Sequence, residues 1–238
     1  MNTKKAGIIA SLPEELETFK EVSKDGKWDD ADVFFQSSGV GKVSCAIATQ
    51  KIILKNNPDI LFFVGTAGSL SEEIKMGDIA VVTRAIDSEF DARGYQPTLS
   101  MGENPFTGER IYKSNEFLSE IALNSPLGFK VHEGYCATES LFMNRPEKES
   151  FIANKISDLV IGENEDKIFP NIVDMESSAF MAVCAKYNKP CLVVKTISNN
   201  FDSDASEEYE KFRNEGIKNY MSMVAYVLNV LRVKRNEE

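Results

Sequence analysis

Two side chains at candidate strand ends of this 238-residue chain could do chemistry, the carboxylate of Glu176 and the amide of Asn199, and a further carboxylate, Glu15, lies at the start of the first helix. An ionised carboxylate can take a proton from water or accept hydroxyl groups, whereas an amide hydrogen-bonds but is no general acid at neutral pH. Glu176 ends the triplet Asp174-Met175-Glu176, which follows the short apolar approach Ile172-Val173. After it comes a helix whose apolar positions are Ala179, Phe180, Val183, Cys184 and Tyr187. Asn188-Lys189-Pro190 stops that helix. Cys191-Leu192-Val193-Val194 is then a continuous apolar run, the pattern of a strand buried on both faces. Thr196-Ile197-Ser198-Asn199-Asn200 reads as the polar loop that leaves it. In sheets flanked by helices, ligands bind at the carboxyl ends of strands. Glu176 and Asn199 both fall at such ends, so one pocket is expected to hold them.

Glu15 is ambiguous on spacing alone. Ala6 to Ala10 form a short apolar strand, and Ser11-Leu12-Pro13-Glu14-Glu15 reads as a helix start, with Ser11 as cap, Glu14 as its capping-box partner and Pro13 in the first turn. On that pattern Glu15 is one more first-turn acid favoured by the helix dipole, with catalysis as the alternative. Val33 to Gln36 is a second strand, and Gly39-Val40-Gly41 leads from it into a helix carrying Ala46, Ile47, Ala48, Ile52, Ile53 and Leu54. That Gly-x-Gly is equally a tight turn or a close approach of backbone to ligand. Asp59 to Val64 is a buried strand that ends in the loop Gly65-Thr66-Ala67-Gly68-Ser69, and Gly77-Asp78 opens another through Ile79, Val81 and Val82. The acids that follow, Asp87, Glu89 and Asp91, alternate as metal ligands could, but a solvated strand edge is favoured.

Further along, Gly94 to Gly108 is an irregular segment of the kind that closes over ligands. A helix is expected near Glu116 to Asn124 and a strand from Lys130 toward Thr138; the single histidine, His132, reads as structural. Phe142 and Met143 are either core residues or apolar walls for a ring. A long helix starts at Ser206-Glu207-Glu208 and reaches about Val233 on a helical apolar period, leaving residues 234–238 as a disordered tail.

The elements needed to position these groups fit one domain. A chain of this length with 42% hydrophobic residues can bury a large core as a single α/β unit, residues 1–238. Its net charge of -10 argues against a nucleic-acid backbone or an anionic membrane as partner. The four cysteines (Cys45, Cys136, Cys184 and Cys191) lack metal-ligand spacing and sit in apolar runs, as buried thiols in a reducing compartment do. No apolar stretch approaches the roughly 20 residues of a membrane span, and no cleavable signal is evident, so a soluble cytoplasmic protein without cofactor or metal is expected.

Met175-Glu176 before a small-residue helix, followed by a strand ending in Ile197-Ser198, resembles the nucleoside phosphorylase and nucleosidase superfamily. Within it the chain is most similar to the methylthioadenosine/S-adenosylhomocysteine nucleosidases, over nearly its whole length. Ser38-Gly39-Val40-Gly41-Lys42-Val43 and Gly65-Thr66-Ala67-Gly68 are further matches. The resemblance implies a three-layer α-β-α sandwich around a central mixed sheet, hydrolysis of a purine nucleoside, a homodimer and a place in methionine salvage. It implies that Glu15 activates the attacking water and Asn199 faces the purine. Glu176 would hold the ribose hydroxyls, Met175 would pack on the sugar, and Asp174 is counted among the substrate-binding residues. Thr66, Ala67 and Gly68 would line the nucleoside, Phe142 and Met143 would sandwich the base, and Ser198 would complete the wall. Three positions depart from the pattern. The family has an aspartate at 199, commonly an aspartate at Ser140, and usually a histidine-aspartate pair near residues 87–91. Phosphorolytic relatives carry an arginine at the place of Phe63, so water is favoured over phosphate as nucleophile. The alternatives are a 6-oxopurine nucleoside hydrolase acting on an inosine- or futalosine-like substrate, a purine nucleoside phosphorylase, and a nucleoside-binding protein without turnover.

Overall fold

Unbroken apolar runs become the central strands. In the computed structural model, which describes residues 4–23, 26–28, 31–199 and 205–237, β1 (Lys5–Ala10), β4 (Ile60–Ser69), β5 (Ile79–Asp87) and β9 (Cys191–Asn199) are buried almost throughout. A strand buried on both faces needs apolar residues at every position rather than at alternate ones. The remaining strands are β2 (Lys27–Trp28), β3 (Ala31–Ser37), β6 (Tyr112–Lys113), β7 (Val131–Thr138) and β8 (Ile172–Asp174). Among the described residues these nine join one mixed sheet. On one side β3, β1 and β4 run parallel. On the other the sheet closes on itself: β4 pairs β9, β9 pairs β5, β5 pairs β7, β7 pairs β8, and β8 returns to the end of β4 at Gly68 and Ser69. That closure gathers the carboxyl ends of β4, β8 and β9 at one place.

Alternation along the strands divides the core. Ala6, Ile8 and Ala10 of β1 and Ile60, Phe62 and Val64 of β4 face the first helical layer: α1 (Glu14–Val22), α3 (Glu116–Leu123) and α6 (Ala205–Glu237), through Leu16, Phe19, Leu118, Tyr220 and Val224. Ile9, Leu61 and Phe63 point the other way, onto α2 (Lys42–Asn56) and α5 (Ser177–Lys186), through Cys45, Ile52, Phe180 and Cys184. The three expected layers are therefore present. A third cluster places α4 (Arg145–Asn154) and the segment before it against β7, through Met143, Phe151, Tyr135 and Ala137.

Several local expectations are corrected. Ser11 and Glu14 form no capping box: α1 starts after Pro13 with no side-chain cap, and the Leu12 N–H donates to Glu15 Oε2 at 2.8 Å. Gly65 to Ser69 is not a loop but the second half of β4, because β9 and β8 supply ladder partners that override the turn tendency of the glycines. For the same reason Thr196 to Asn199 continues β9. His132, within β7 as a strand from Lys130 requires, pairs with Asp78 at 2.8 Å. The last helix runs to Glu237 instead of ending near Val233, since the basic residues of its final turns suit the carboxyl end of a helix. Tyr209 and Phe212, at apolar positions of the sequence in this helix, and Asp202 lie outside the described side chains.

Candidate active site

Every residue singled out for chemistry or binding lines one cavity of about 250 Å³: Glu15, Thr66, Ala67, Gly68, Phe142, Met143, Asp174, Met175, Glu176, Ser198 and Asn199. Ser11, Leu12, Val40, Leu141, Val173 and Lys195 complete it. The strand ends supply the walls. β4 contributes Thr66 to Gly68, β8 and its exit contribute Val173 to Glu176, and β9 contributes Lys195, Ser198 and Asn199.

Lys195 is the residue that the sequence reading missed. It is 1% exposed and lies 2.9 Å from Asp174 Oδ2 and 3.9 Å from Glu176 Oε2, with its ammonium 4.4 Å above the Phe63 ring. A lysine in an otherwise apolar, doubly buried strand requires opposite charge close by, and that was the available signal. Glu15 comes within reach as well. A Cβ built on Gly65 would sit 3.3 Å from Glu15 Oε1 and 3.5 Å from Lys195 Nζ, and the residue has a φ of 155°, so glycine suits a strand position against which both side chains pack.

The three acids around Lys195 differ in what they have left to offer. Asp174 is fully engaged, taking the Ser177 N–H and hydroxyl, the Glu176 N–H, the Thr138 hydroxyl, the Cys136 thiol and Lys195. Burial pushes its carboxyl up, but Lys195 and these donors outweigh that and hold it below the usual range. Asp174 thus borders the cavity as an anchor, with no oxygen free for a ribose hydroxyl. Glu176 accepts the Gly41 N–H at 2.8 Å on Oε1 and keeps acceptor capacity on Oε2. The Gly-x-Gly turn therefore grips an acid, not an anion. Burial raises the Glu176 carboxyl, more than Lys195 and the Gly41 amide lower it.

Glu15 is 3% exposed, and burial pushes its carboxyl up to about 7 against the opposing pull of the Leu12 amide and Lys195. Its backbone is fixed too, since the Tyr220 hydroxyl of α6 donates to the Glu15 carbonyl at 3.2 Å. Asn199 is 4% exposed, and its Oδ1 has no partner among the described residues. A buried carbonyl without a donor costs stability unless a ligand supplies one.

The apolar part of the cavity is Leu141, Phe142, Met143 and Met175. Leu141 and Phe142 are about half exposed, which leaves a face for a flat ring to cover. The acids near the end of β5 are occupied: Lys42 bridges Asp87 at 2.7 Å and Glu89 at 2.8 Å, and Arg93 pairs with Asp91. Among the described residues no group of three or more histidine, cysteine, aspartate or glutamate side chains is arranged to hold a metal ion. Nor is any helix among them long and apolar enough to cross a membrane.

Known proteins resemble this chain in sequence and in fold. A 5'-methylthioadenosine/S-adenosylhomocysteine nucleosidase of Haemophilus influenzae is 29% identical over 244 residues, covering 95% of this chain and all of that protein. Among solved structures, the nucleosidase of the same name from Neisseria meningitidis, in complex with methylthio-immucillin-A, superposes with a TM-score of 0.82 at 22% identity. It covers 94% of this chain and 98% of its own. A futalosine hydrolase mutant of Helicobacter pylori gives the same TM-score, 0.82, at 22% identity over 95% of this chain and 99% of that one. Likeness at such identity speaks for the fold alone. The family model described as the phosphorylase superfamily matches residues 5–232, and the chain belongs to that superfamily.

Proposed function

We propose that this protein is a purine nucleosidase, cleaving the N-glycosidic bond of a 5'-methylthioadenosine or S-adenosylhomocysteine type nucleoside with water. The observation that carries the reading is a buried Glu15, titrating near 7, on the wall of the cavity that also holds Glu176 and Asn199. Glu15 takes a proton from water, and the water oxygen attacks C1′ as the C1′–N9 bond breaks. The electron pair of that bond leaves with the purine, which takes a proton at N7 from a water molecule, and the hydroxide so formed takes up the proton that Glu15 removed. Glu176 accepts the ribose hydroxyls, Met175 packs on the sugar, and Phe142 and Met143 cover the base. The curated relatives' names, matched over almost the full chain, support the 6-amino substrate.

Asn199 supports a second reading, hydrolysis of a 6-oxopurine nucleoside. Its amide can donate to O6 and accept from a protonated N7, but cannot itself deliver a proton. Toward a 6-aminopurine it would donate to N7 and satisfy the orphaned Oδ1 from the amino group.

Phosphorolysis is disfavoured by charge. Among the described residues, Lys195 is the cation that lines the cavity, and two carboxylates already hold it. Phe63 is fully buried beneath it and offers no anion contact. Adding phosphate is expected to leave the rate of base release unchanged and to yield no ribose 1-phosphate. Phosphate-dependent release would replace the nucleosidase reading with a phosphorylase.

We infer further that the chain pairs with a second copy across α2. Val43, Ile47 and Leu54 are 75%, 62% and 68% exposed on that helix, and Val40, which also edges the cavity, extends the patch. Light scattering should give a dimer for the wild type and a monomer for Ile47→Glu. A monomeric wild type would refute the pairing.

A further inference from the structure

The stretch that has to pack on the base lies outside every helix and strand. Between the end of β7 at Thr138 and the start of α4 at Arg145 the chain is irregular, yet Leu141, Phe142 and Met143 all form cavity wall. What sets their position is an ionic tie at the leading edge of the segment. Ser140 gives its backbone N–H (2.9 Å) and its hydroxyl to a single oxygen, Glu89 Oε2. The same oxygen takes Lys42 Nζ at 2.8 Å. Lys42 also reaches Asp87 Oδ1 at 2.7 Å, and that atom accepts the Glu89 N–H at 3.1 Å. Lys42, the first residue of α2, therefore locks the turn that ends β5, and the acid on that turn locks Ser140. One residue earlier, Glu139 is buried and fastened separately, to Lys155 Nζ at 2.6 Å and to the Ser88 hydroxyl. The carboxylate that the resemblance leads one to expect at position 140 thus arrives from across the turn. Glu89 itself does not line the cavity.

We propose that Glu89, held by Lys42, is a positioning residue for the purine: by tying Ser140 to the end of β5 it fixes where Leu141, Phe142 and Met143 meet the base. The inference rests on the nucleosidase reading and deepens it. A charge-assisted pair donated by one residue to one oxygen is strong and directional, so its loss frees the segment without disturbing Glu15. The consequence is a binding defect rather than a chemical one.

The test measures KM and kcat on the nucleoside the wild type turns over, and titrates the released purine base by calorimetry. Glu89→Ala is expected to raise KM and the dissociation constant of the base together, by about 10-fold or more, with kcat within about 3-fold. Ser140→Asp in the Glu89→Ala background puts a carboxylate back beside Lys42 and should return KM to within about 3-fold of wild type. Ser140→Asp alone sets two carboxylates against each other and should raise KM. If Glu89→Ala does not fold, Glu89→Gln, which keeps the acceptor and gives up only the charge facing Lys42, should still raise KM and the base dissociation constant with kcat preserved. Unchanged KM and base affinity in the single variant, a fall in kcat at constant KM, or a double variant no better than Glu89→Ala would each overturn the proposal. A wild type that neither binds nor releases a purine base would instead overturn the nucleosidase reading and this inference with it.

Discussion

Glu15→Gln should lower kcat by about 10²–10⁴-fold, the range usual for a lost general base, while nucleoside binding stays within a few-fold. The amide keeps the shape of the side chain and can still accept the Leu12 N–H, so only proton abstraction is removed. The wild-type pH profile should agree. With its carboxyl raised to about 7, Glu15 is protonated and inactive at lower pH, so kcat/KM should climb through an acid limb near that value. Glu176 is raised beside it, so the limb belongs to the pair. The part that Glu15 contributes should be absent from whatever residual rate Glu15→Gln retains.

The same burial has a stability consequence, whose sign follows from linkage. The folded value lies above the ordinary 4.5, so the ionised acid opposes folding. The penalty is absent below pH 4.5 and complete above about 7, where it reaches about 3 kcal/mol. Glu15→Gln should therefore raise Tm at pH 8 and leave it nearly unchanged at pH 4.5. Near-wild-type turnover in the variant, or a Tm gain equal at both pH values, would contradict the role given to Glu15.

The second large effect is expected at Asn199. Asn199→Asp restores an acid within reach of N7 and should raise turnover of adenine nucleosides, by a factor in the ~10²–10⁴ range of general acid catalysis. Activity on 6-oxopurine nucleosides should fall, because a protonated carboxyl offers one donor to an edge that bears two acceptors. Asn199 Oδ1, which has no donor among the described residues, can accept one from a ligand. Asp202 is three residues away and outside the described residues, so it is tested alongside. If Asn199→Asp lowers adenine turnover while Asp202→Asn abolishes it, Asp202 is the acid and the role assigned to position 199 is wrong.

Part of this site could be read from residue order, because the strands that carry it are apolar runs and strand ends in such a sheet face one place, whereas Glu15, Thr66, Ala67, Phe142 and Met143 are assigned by resemblance. Glu176 and Asn199, 23 positions apart, meet for that reason. What could not be read were contacts set by how distant strands align. Lys195 finds Asp174 only once β8 and β9 are both placed against β4. Glu89 reaches Ser140 across 51 residues, through the pairing of β5 with β7. Asp174 looked like a ligand-binding acid, but six protein donors consume it. The local rules failed where tertiary demands overrode them. The Ser11 and Glu14 cap was displaced when the Leu12 amide turned to Glu15. The glycines after Val64 signalled a turn, yet the strand continues, and the missing side chain of Gly65 leaves space beside Glu15 and Lys195.

Chromatography of methylthioadenosine, adenosylhomocysteine, adenosine, inosine and futalosine incubated with the protein in phosphate-free buffer puts the central claim to its most direct test. At least one of these nucleosides should yield free purine base and an equimolar free pentose, with the adenine thionucleosides first among them. Binding of these nucleosides with no base released from any of them would contradict the account, leaving a cavity that holds a nucleoside without cleaving it.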